Sequence, residues 1–88
     1  MEGLTPGRIV HFVLSQGRSV GEHRPAMVVR VWGTPTADYT PAVQLQVFTD
    51  STNDFEHNQN GANGLLWATS VPYSEEPKPY TWHWIERA

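Results

Sequence analysis

The chain has 88 residues, no cysteine and a formal charge of -3 at pH 7. This length suits a single small domain spanning residues 1–88, whose thin core lacks disulfide support, so we expect a homo-oligomer to bury further area. Nine acidic residues against six basic ones argue against binding of duplex nucleic acid through its phosphates. We expect neither a signal peptide nor a membrane span, and therefore a cytoplasmic protein, because no apolar run reaches helix length.

Five stretches rich in β-branched and aromatic residues predict five strands, which are residues 8–14, 23–32, 43–49, 65–71 and 81–85. The second stretch is the expected centre of the sheet, with Pro25 near its start, where a missing N–H does little harm. The third alternates most clearly and places Val43, Leu45 and Val47 on one face. No segment shows a convincing helical period.

The spacing of these strands predicts an all-β fold, namely a small SH3-like or partly open five-stranded antiparallel barrel. The first two strands are expected to be antiparallel neighbours, and a long polar loop at residues 50–64 follows the third. A two-sheet sandwich is the alternative. It is less favoured because so few strands would leave both sheets with bare edges.

The sequence lacks the motifs of common catalytic and metal sites. There is no cysteine and no serine in a Gly-x-Ser-x-Gly turn, so we predict a protein without enzymatic activity or cofactor. The four histidines are dispersed in the sequence, at His11, His23, His57 and His83. No pair has the spacing of a zinc-binding helix, so we predict no metal site. We interpret His83, between two tryptophans, as a surface or subunit-contact residue.

Asp50 to Asp54 resembles the acidic start of a calcium loop. The sixth position is Phe55 instead of glycine and the twelfth is Gly61 instead of glutamate, so side chains that cap the turn are favoured. Asn53 and Asp54 are nevertheless candidate polar contacts for a ligand.

Arg24 and Arg30 are the candidate anion-binding residues. Strand alternation places Val29 and Val31 on one face of the second strand, and Arg30 beside Trp32 on the other. A guanidinium next to an aromatic ring can hold a phosphate while the ring stacks on a base. An ion pair with Glu22, Asp50 or Asp54 that locks a loop is an equally weighted alternative.

Trp67, Trp82 and Trp84 are the remaining tryptophans. Trp82 and Trp84 are two residues apart and are expected on one face of the last strand. Together they could form a stacking platform for a ligand. Core packing or a subunit interface is the favoured use in so small a chain.

Residues 7–10, Gly-Arg-Ile-Val, followed by Arg-Pro-Ala-Met-Val-Val at 24–29, resemble the opening of MazF/PemK-type toxin endoribonucleases. The resemblance implies an SH3-like barrel and cleavage of RNA by an arginine near the Arg-Pro motif with a serine or threonine on a later strand. Only Arg24 can be matched to these catalytic residues.

Four segments together resemble small uncharacterised proteins of tailed bacteriophages and prophages. They are Gly-Glu-His-Arg-Pro-Ala-Met-Val-Val-Arg-Val-Trp at 21–32, Leu-Gln-Val-Phe-Thr-Asp-Ser-Thr-Asn-Asp at 45–54, Leu-Trp-Ala-Thr-Ser-Val at 66–71 and Thr-Trp-His-Trp at 81–84. This resemblance implies a phage setting, in which short oligomeric proteins either decorate the virion or disarm host defence.

The leading functional hypothesis is a non-catalytic phage-type protein that acts as an anti-defence sponge. As a homo-oligomer it would sequester a small anionic ligand, such as a nucleotide signal of host immunity, in pockets at subunit contacts. A virion or assembly component is the first alternative, and a MazF-like endoribonuclease is the second. The candidate ligand-binding residues are Arg24, Arg30, Trp32, Asn53, Asp54, Trp67, Trp82 and Trp84.

Overall fold

The computed structural model describes residues 3–54, 57 and 64–85. The strands are β1 (Ile9–Val13), β2 (His23–Val31), β3 (Val43–Phe48), β4 (Leu65–Val71) and β5 (Trp82–His83). All five predicted strands are confirmed: β4 has its predicted bounds, β1, β2 and β3 are one or two residues shorter, and β5 has two residues instead of five. In the described part of the chain, no helix is long and apolar enough to cross a membrane.

The five strands form one antiparallel sheet in the order β4-β3-β2-β1-β5, so the sandwich alternative is wrong. β2 lies at the centre and is the antiparallel neighbour of β1, as predicted. Beyond β4 the chain continues to Tyr73, which forms an isolated parallel bridge with Trp82 of β5. The backbone N–H of Trp82 donates to the carbonyl of Pro72 at 2.9 Å. The two edges therefore meet without a continuous ladder, which makes a partly open barrel.

Strand alternation separates an apolar inner face of this sheet from an outer face. Trp82, Phe12 and Leu45 are the bulkiest strand residues of the inner face, and each is fully buried. The other buried members of the core are Leu4, Val10, Leu14, Ala26, Val28, Val43, Val47, Ala68 and Val71. Burial alternates within β2, where Ala26 and Val28 are buried and Met27 is exposed.

A β-bulge in β2 changes which side chains reach the outer face. Val28 pairs with Leu45, but the next pair is Arg30 with Gln44, so Val29 is an extra residue. Val29 and Arg30 are therefore both exposed, whereas Val31 is half-buried. The predicted grouping of Val29 with Val31 is wrong for this reason.

A second bulge lies in β4, opposite Gln44 of β3. Val43 pairs with Val71 and Leu45 pairs with Ala68, so Thr69 and Ser70 lie opposite Gln44 alone. Ser70 has a φ of 49°, a left-handed conformation that is uncommon outside glycine. Both bulges therefore lie next to Gln44, at the end of β2 remote from His23.

Candidate functional site

A pocket of about 360 Å³ opens on the outer face next to the two bulges. Its lining residues come from β2, the residue after β2, β3 and β4: Val29, Arg30, Trp32, Gln44 and Trp67. The volume lies near the lower end of the range of small-molecule sites. Three of the eight sequence-predicted ligand residues meet here, namely Arg30, Trp32 and Trp67.

Arg30 and Trp32 form the charged part of this pocket. The guanidinium carbon Cζ of Arg30 lies 4.4 Å from the centroid of the Trp32 ring, which is a cation–π contact. No ion pair within residues 3–54, 57 and 64–85 involves Arg30. Its charge is thus held in place by an aromatic ring and is not neutralised by a carboxylate of that part of the chain.

Gln44 fixes the orientation of Trp32. Its Oε1 accepts hydrogen bonds from the indole Nε1 of Trp32 at 3.1 Å and from the backbone N–H of Ser70 at 2.7 Å. Two donors on one atom identify that atom as the amide oxygen. The Nε2 group is consequently the hydrogen-bond donor of the Gln44 side chain. Sequence patterning predicts Gln44 on the outer face of β3 but gives it no role.

Trp67 brings a second ring to the pocket from β4. Its side chain is 42% exposed, as is that of Trp32. Large apolar side chains are costly to leave in water, at roughly 25 cal/mol per Å² of apolar surface. Two half-exposed indoles beside one arginine therefore make a surface suited to stacking on a flat ring.

Arg24 and Asp54 lie outside this pocket and form an ion pair with each other. Arg24 Nε donates to Asp54 Oδ2 at 2.7 Å and Arg24 Nη2 donates to Asp54 Oδ1 at 3.0 Å. Arg24 Nη2 also contacts Glu22 Oε1 at 3.2 Å. The loop-locking ion pair, which the sequence leaves as an equal alternative, is therefore the arrangement in the structure.

This ion pair strongly favours the charged form of Asp54. The hydrogen bonds from Arg24 are the main cause that lowers the pKa of the Asp54 carboxyl to about 2, and the backbone N–H of Asp50 adds to it. The same hydrogen bonds raise the pKa of Arg24. Asp54 is fully buried, so its role is to anchor the segment after β3 to the start of β2.

Asn53 belongs to the turn that Asp50 caps. Asp50 Oδ1 accepts the backbone N–H of Thr52 at 3.0 Å, and Asp50 Oδ2 accepts Asn53 Nδ2 at 2.7 Å. These hydrogen bonds lower the pKa of Asp50. The predicted turn capping is confirmed, and the structure does not bring Asn53 to the pocket. Residues 55–56 and 58–63 of the predicted loop lie outside the described residues.

Trp82 and Trp84 are likewise separate from the pocket. Trp82 is fully buried in the core, as the favoured interpretation predicts. Trp84 follows β5, is half-buried, and packs edge-on against Trp82 with the ring centroids 5.4 Å apart. Arg8 lies over the Trp84 ring at 5.5 Å. These two tryptophans therefore serve packing, and they do not form an exposed platform.

Three histidines that are far apart in the sequence converge on the outer face. His11 of β1 pairs directly with His83 of β5, and His23 begins β2 opposite Val13. One ring nitrogen from each lies within 4.8 Å of the others. His83 is only 6% exposed, so its interpretation as a surface residue is wrong. Sequence spacing missed this cluster because it depends on the pairing of β5 with β1.

No protein-family model, curated protein or solved structure matches this chain. Its function is therefore inferred from the residues on the outer face and their geometry.

Proposed function

We propose that the chain binds a small anionic ligand with a flat ring, of the nucleotide class, in the pocket around Arg30. The observation that carries this proposal is the placement of the Arg30 guanidinium 4.4 Å over the Trp32 ring, with the exposed Trp67 in the same pocket. A fixed cation supplies a site for phosphate, while the indoles supply stacking surface for a base.

Each lining residue has a distinct part in this recognition. The guanidinium of Arg30 donates hydrogen bonds to phosphate oxygens, and charge-assisted bonds of this kind are about twice as strong as neutral ones. Gln44 donates from Nε2 to a polar group of the ligand, while Val29 provides an apolar wall. This set binds and orients a ligand, and it contains no nucleophile or general base, so we propose sequestration without chemical conversion.

The ribonuclease alternative depends on a different arginine. Arg24 is the residue matched to the endoribonuclease motif, and its guanidinium is bonded to Asp54 on two nitrogens and to Glu22. An RNA phosphate would have to compete with a buried carboxylate for these donors. The geometry therefore favours binding at Arg30 over cleavage at Arg24.

We further propose that a second copy of the chain covers the pocket. Several apolar side chains of the outer face are more than a third exposed and surround the pocket's strands, namely Ile9, Met27, Val29, Phe48, Leu65 and Trp67. Such a row on one sheet face is expected to be buried in an oligomer. The resemblance to phage proteins then suggests a nucleotide signal of host immunity as the sequestered ligand.

The test is a thermal-shift and calorimetric titration with a panel of linear and cyclic nucleotides. A ligand that binds the folded chain raises the melting temperature through linkage. Arg30→Gln should weaken binding by about 10- to 100-fold, since hydrogen bonds to charged groups are worth about 1.5–3 kcal/mol. Arg8→Gln is the matched control because it removes an arginine that lies over a different tryptophan, Trp84.

The control variant should bind as the unaltered chain does. Equal losses in Arg30→Gln and Arg8→Gln, or no response to any nucleotide, would reject the proposal. A flat response from a stable oligomer would favour the virion component instead, and cleavage of single-stranded RNA that is lost in Arg24→Gln would favour the endoribonuclease. Light scattering of the purified chain measures the oligomer independently.

A further inference from the structure

We propose that His11, His23 and His83 form a binding site for a divalent transition-metal ion, with Zn²⁺ as the best-suited ion. The three rings lie at the β5-β1-β2 end of the outer face, away from the Arg30 pocket. Their centroids are 6.0 Å apart for His11 and His23, 5.7 Å for His11 and His83, and 4.7 Å for His23 and His83.

The backbone explains why the three rings meet. His11 and His83 are directly opposite each other in the antiparallel pair of β1 and β5. On the other side of β1, His23 is opposite Val13, which lies two residues from His11 and so on the same face. Neighbouring strands lie about 4.8 Å apart, so side chains on one face of three adjacent strands can reach a common point.

The distances are close to those that a metal requires. Zinc–nitrogen bonds of about 2.0–2.1 Å place two ligand nitrogens of a tetrahedral site roughly 3.3 Å apart. The three candidate nitrogens already lie within 4.8 Å of one another. Closing the difference needs side-chain adjustments of about 1–1.5 Å, which small χ rotations of a histidine provide. The rings meet edge-on, at interplanar angles of 61° to 90°, so they are not stacked face to face.

The ligand set determines which ions fit. This cluster consists of imidazoles alone, which suit Zn²⁺, Cu²⁺ and Ni²⁺, whereas Mg²⁺ and Ca²⁺ require several oxygens. Three protein ligands leave a fourth position of a tetrahedral ion for water or another small ligand. His83 is buried and the other two histidines are half-buried, so the ion would be partly shielded from solvent.

Metal binding would also stabilise the position of β5, the shortest strand of the sheet. β5 has two residues and pairs with β1 only at His11–His83 and Phe12–Trp82. An ion that joins β5 to β1 and β2 binds the folded chain preferentially, because the unfolded chain does not hold the three rings together. Zinc should therefore raise the melting temperature of the protein.

The experiment is a calorimetric titration of the purified, tag-free chain with Zn²⁺ alone. We expect one ion per chain, and a loss of affinity above about 100-fold in His11→Gln and in His23→Gln, since even outer partners of metal ligands are worth 10- to 100-fold. His57→Gln is the matched control because this histidine bonds the Gln16 carbonyl. It should bind zinc as the unaltered chain does.

The cobalt spectrum of the unaltered chain tests the metal site even if a histidine variant is unstable. Co²⁺ in the unaltered chain should give the intense visible absorption of a tetrahedral site, and Zn²⁺ should abolish it by displacement. Binding without a fixed stoichiometry, a weak octahedral cobalt spectrum, or equal affinities in all three histidine variants would overturn the proposal. Arg30→Gln should retain zinc binding, so failure of the nucleotide pocket and failure of the metal site are separable.

Discussion

Replacing Asp54 by asparagine should destabilise the fold far more than any other single charge removal around Arg24. The carboxylate is fully buried and accepts two hydrogen bonds from one guanidinium, plus the backbone N–H of Asp50 at 2.7 Å. Asparagine preserves the size of the side chain but removes its charge. The variant therefore tests electrostatics and hydrogen bonding with little change in packing.

The expected magnitude follows from the ion pair and from the lowered pKa. Removing one partner of a buried ion pair costs about 3–5 kcal/mol. Here the Arg24 side chain is 15% exposed and keeps Glu22 as a partner, so solvent and that carboxylate offset part of the loss. The drop in the pKa of Asp54 from 3.8 to about 2 corresponds to at most roughly 2–3 kcal/mol. We expect a loss of about 2–3 kcal/mol, or about 10–20 °C in melting temperature.

Glu22→Gln is the matched control. Glu22 contacts the same guanidinium nitrogen at 3.2 Å, but its side chain is 60% exposed. Exposed ion pairs contribute about 0–1 kcal/mol, so the control should lose less than about 1 kcal/mol. Urea unfolding followed by tryptophan fluorescence measures both variants, since the fully buried Trp82 reports loss of the core.

The pH dependence has a definite sign. The pKa of Asp54 is lower in the folded chain than in the unfolded one. Its contribution to the free energy of unfolding is therefore complete above about pH 5 and falls as the pH drops through 3.8 towards 2. Asp54→Asn should remove this part of the acid sensitivity. The reasoning would be refuted if Asp54→Asn lost no more unfolding free energy than Glu22→Gln. It would also be refuted if stability fell between pH 5 and pH 2 in this variant as it does in the unaltered chain.

Four further substitutions test the packing of the tryptophans, the bulge at Ser70 and the role of Gln44 in the pocket. Trp82→Ala should cost about 3–5 kcal/mol of unfolding free energy and the half-buried Trp84→Ala clearly less, measured by urea unfolding with circular dichroism; equal losses would contradict the assigned burial. Ser70→Gly should stabilise the chain by about 0.5–1 kcal/mol, because glycine adopts its positive φ without strain and keeps the backbone bond to Gln44; destabilisation would show that the serine side chain is needed. Gln44→Ala should weaken nucleotide binding by about tenfold, since Trp32 Nε1 loses its acceptor; calorimetry showing unchanged affinity would exclude this positioning role.

The strands were predictable because their signal is local. β4 has the predicted bounds of residues 65–71, and β3 shows the predicted alternation of buried and half-buried residues from Val43 to Val47. The position of β2 at the centre follows from its length and apolar content. The bulge at Val29 carries no such signal, because an extra residue in one strand depends on how the neighbouring strand pairs.

The site residues divide in the same way. Arg30 and Trp32 are two residues apart in the predicted second strand, residues 23–32, so alternation alone places them on one face. Asp54 is 30 residues from Arg24, and nothing in the sequence distinguishes it from Asp50 as the partner. The histidine cluster could not be predicted from local sequence, because it requires the pairing of His11 with His83, which are 72 residues apart.

The indole N–H resonances in a ¹H–¹⁵N spectrum test most directly whether the outer-face pocket binds a nucleotide-like ligand. The chain has four tryptophans, so four indole signals report on two pocket residues, Trp32 and Trp67, and two packing residues, Trp82 and Trp84. Addition of a nucleotide that raises the melting temperature should shift the Trp32 and Trp67 signals and leave that of Trp82 in place. If only the Trp82 and Trp84 signals shift, or if no indole signal shifts, the assignment of the pocket is contradicted.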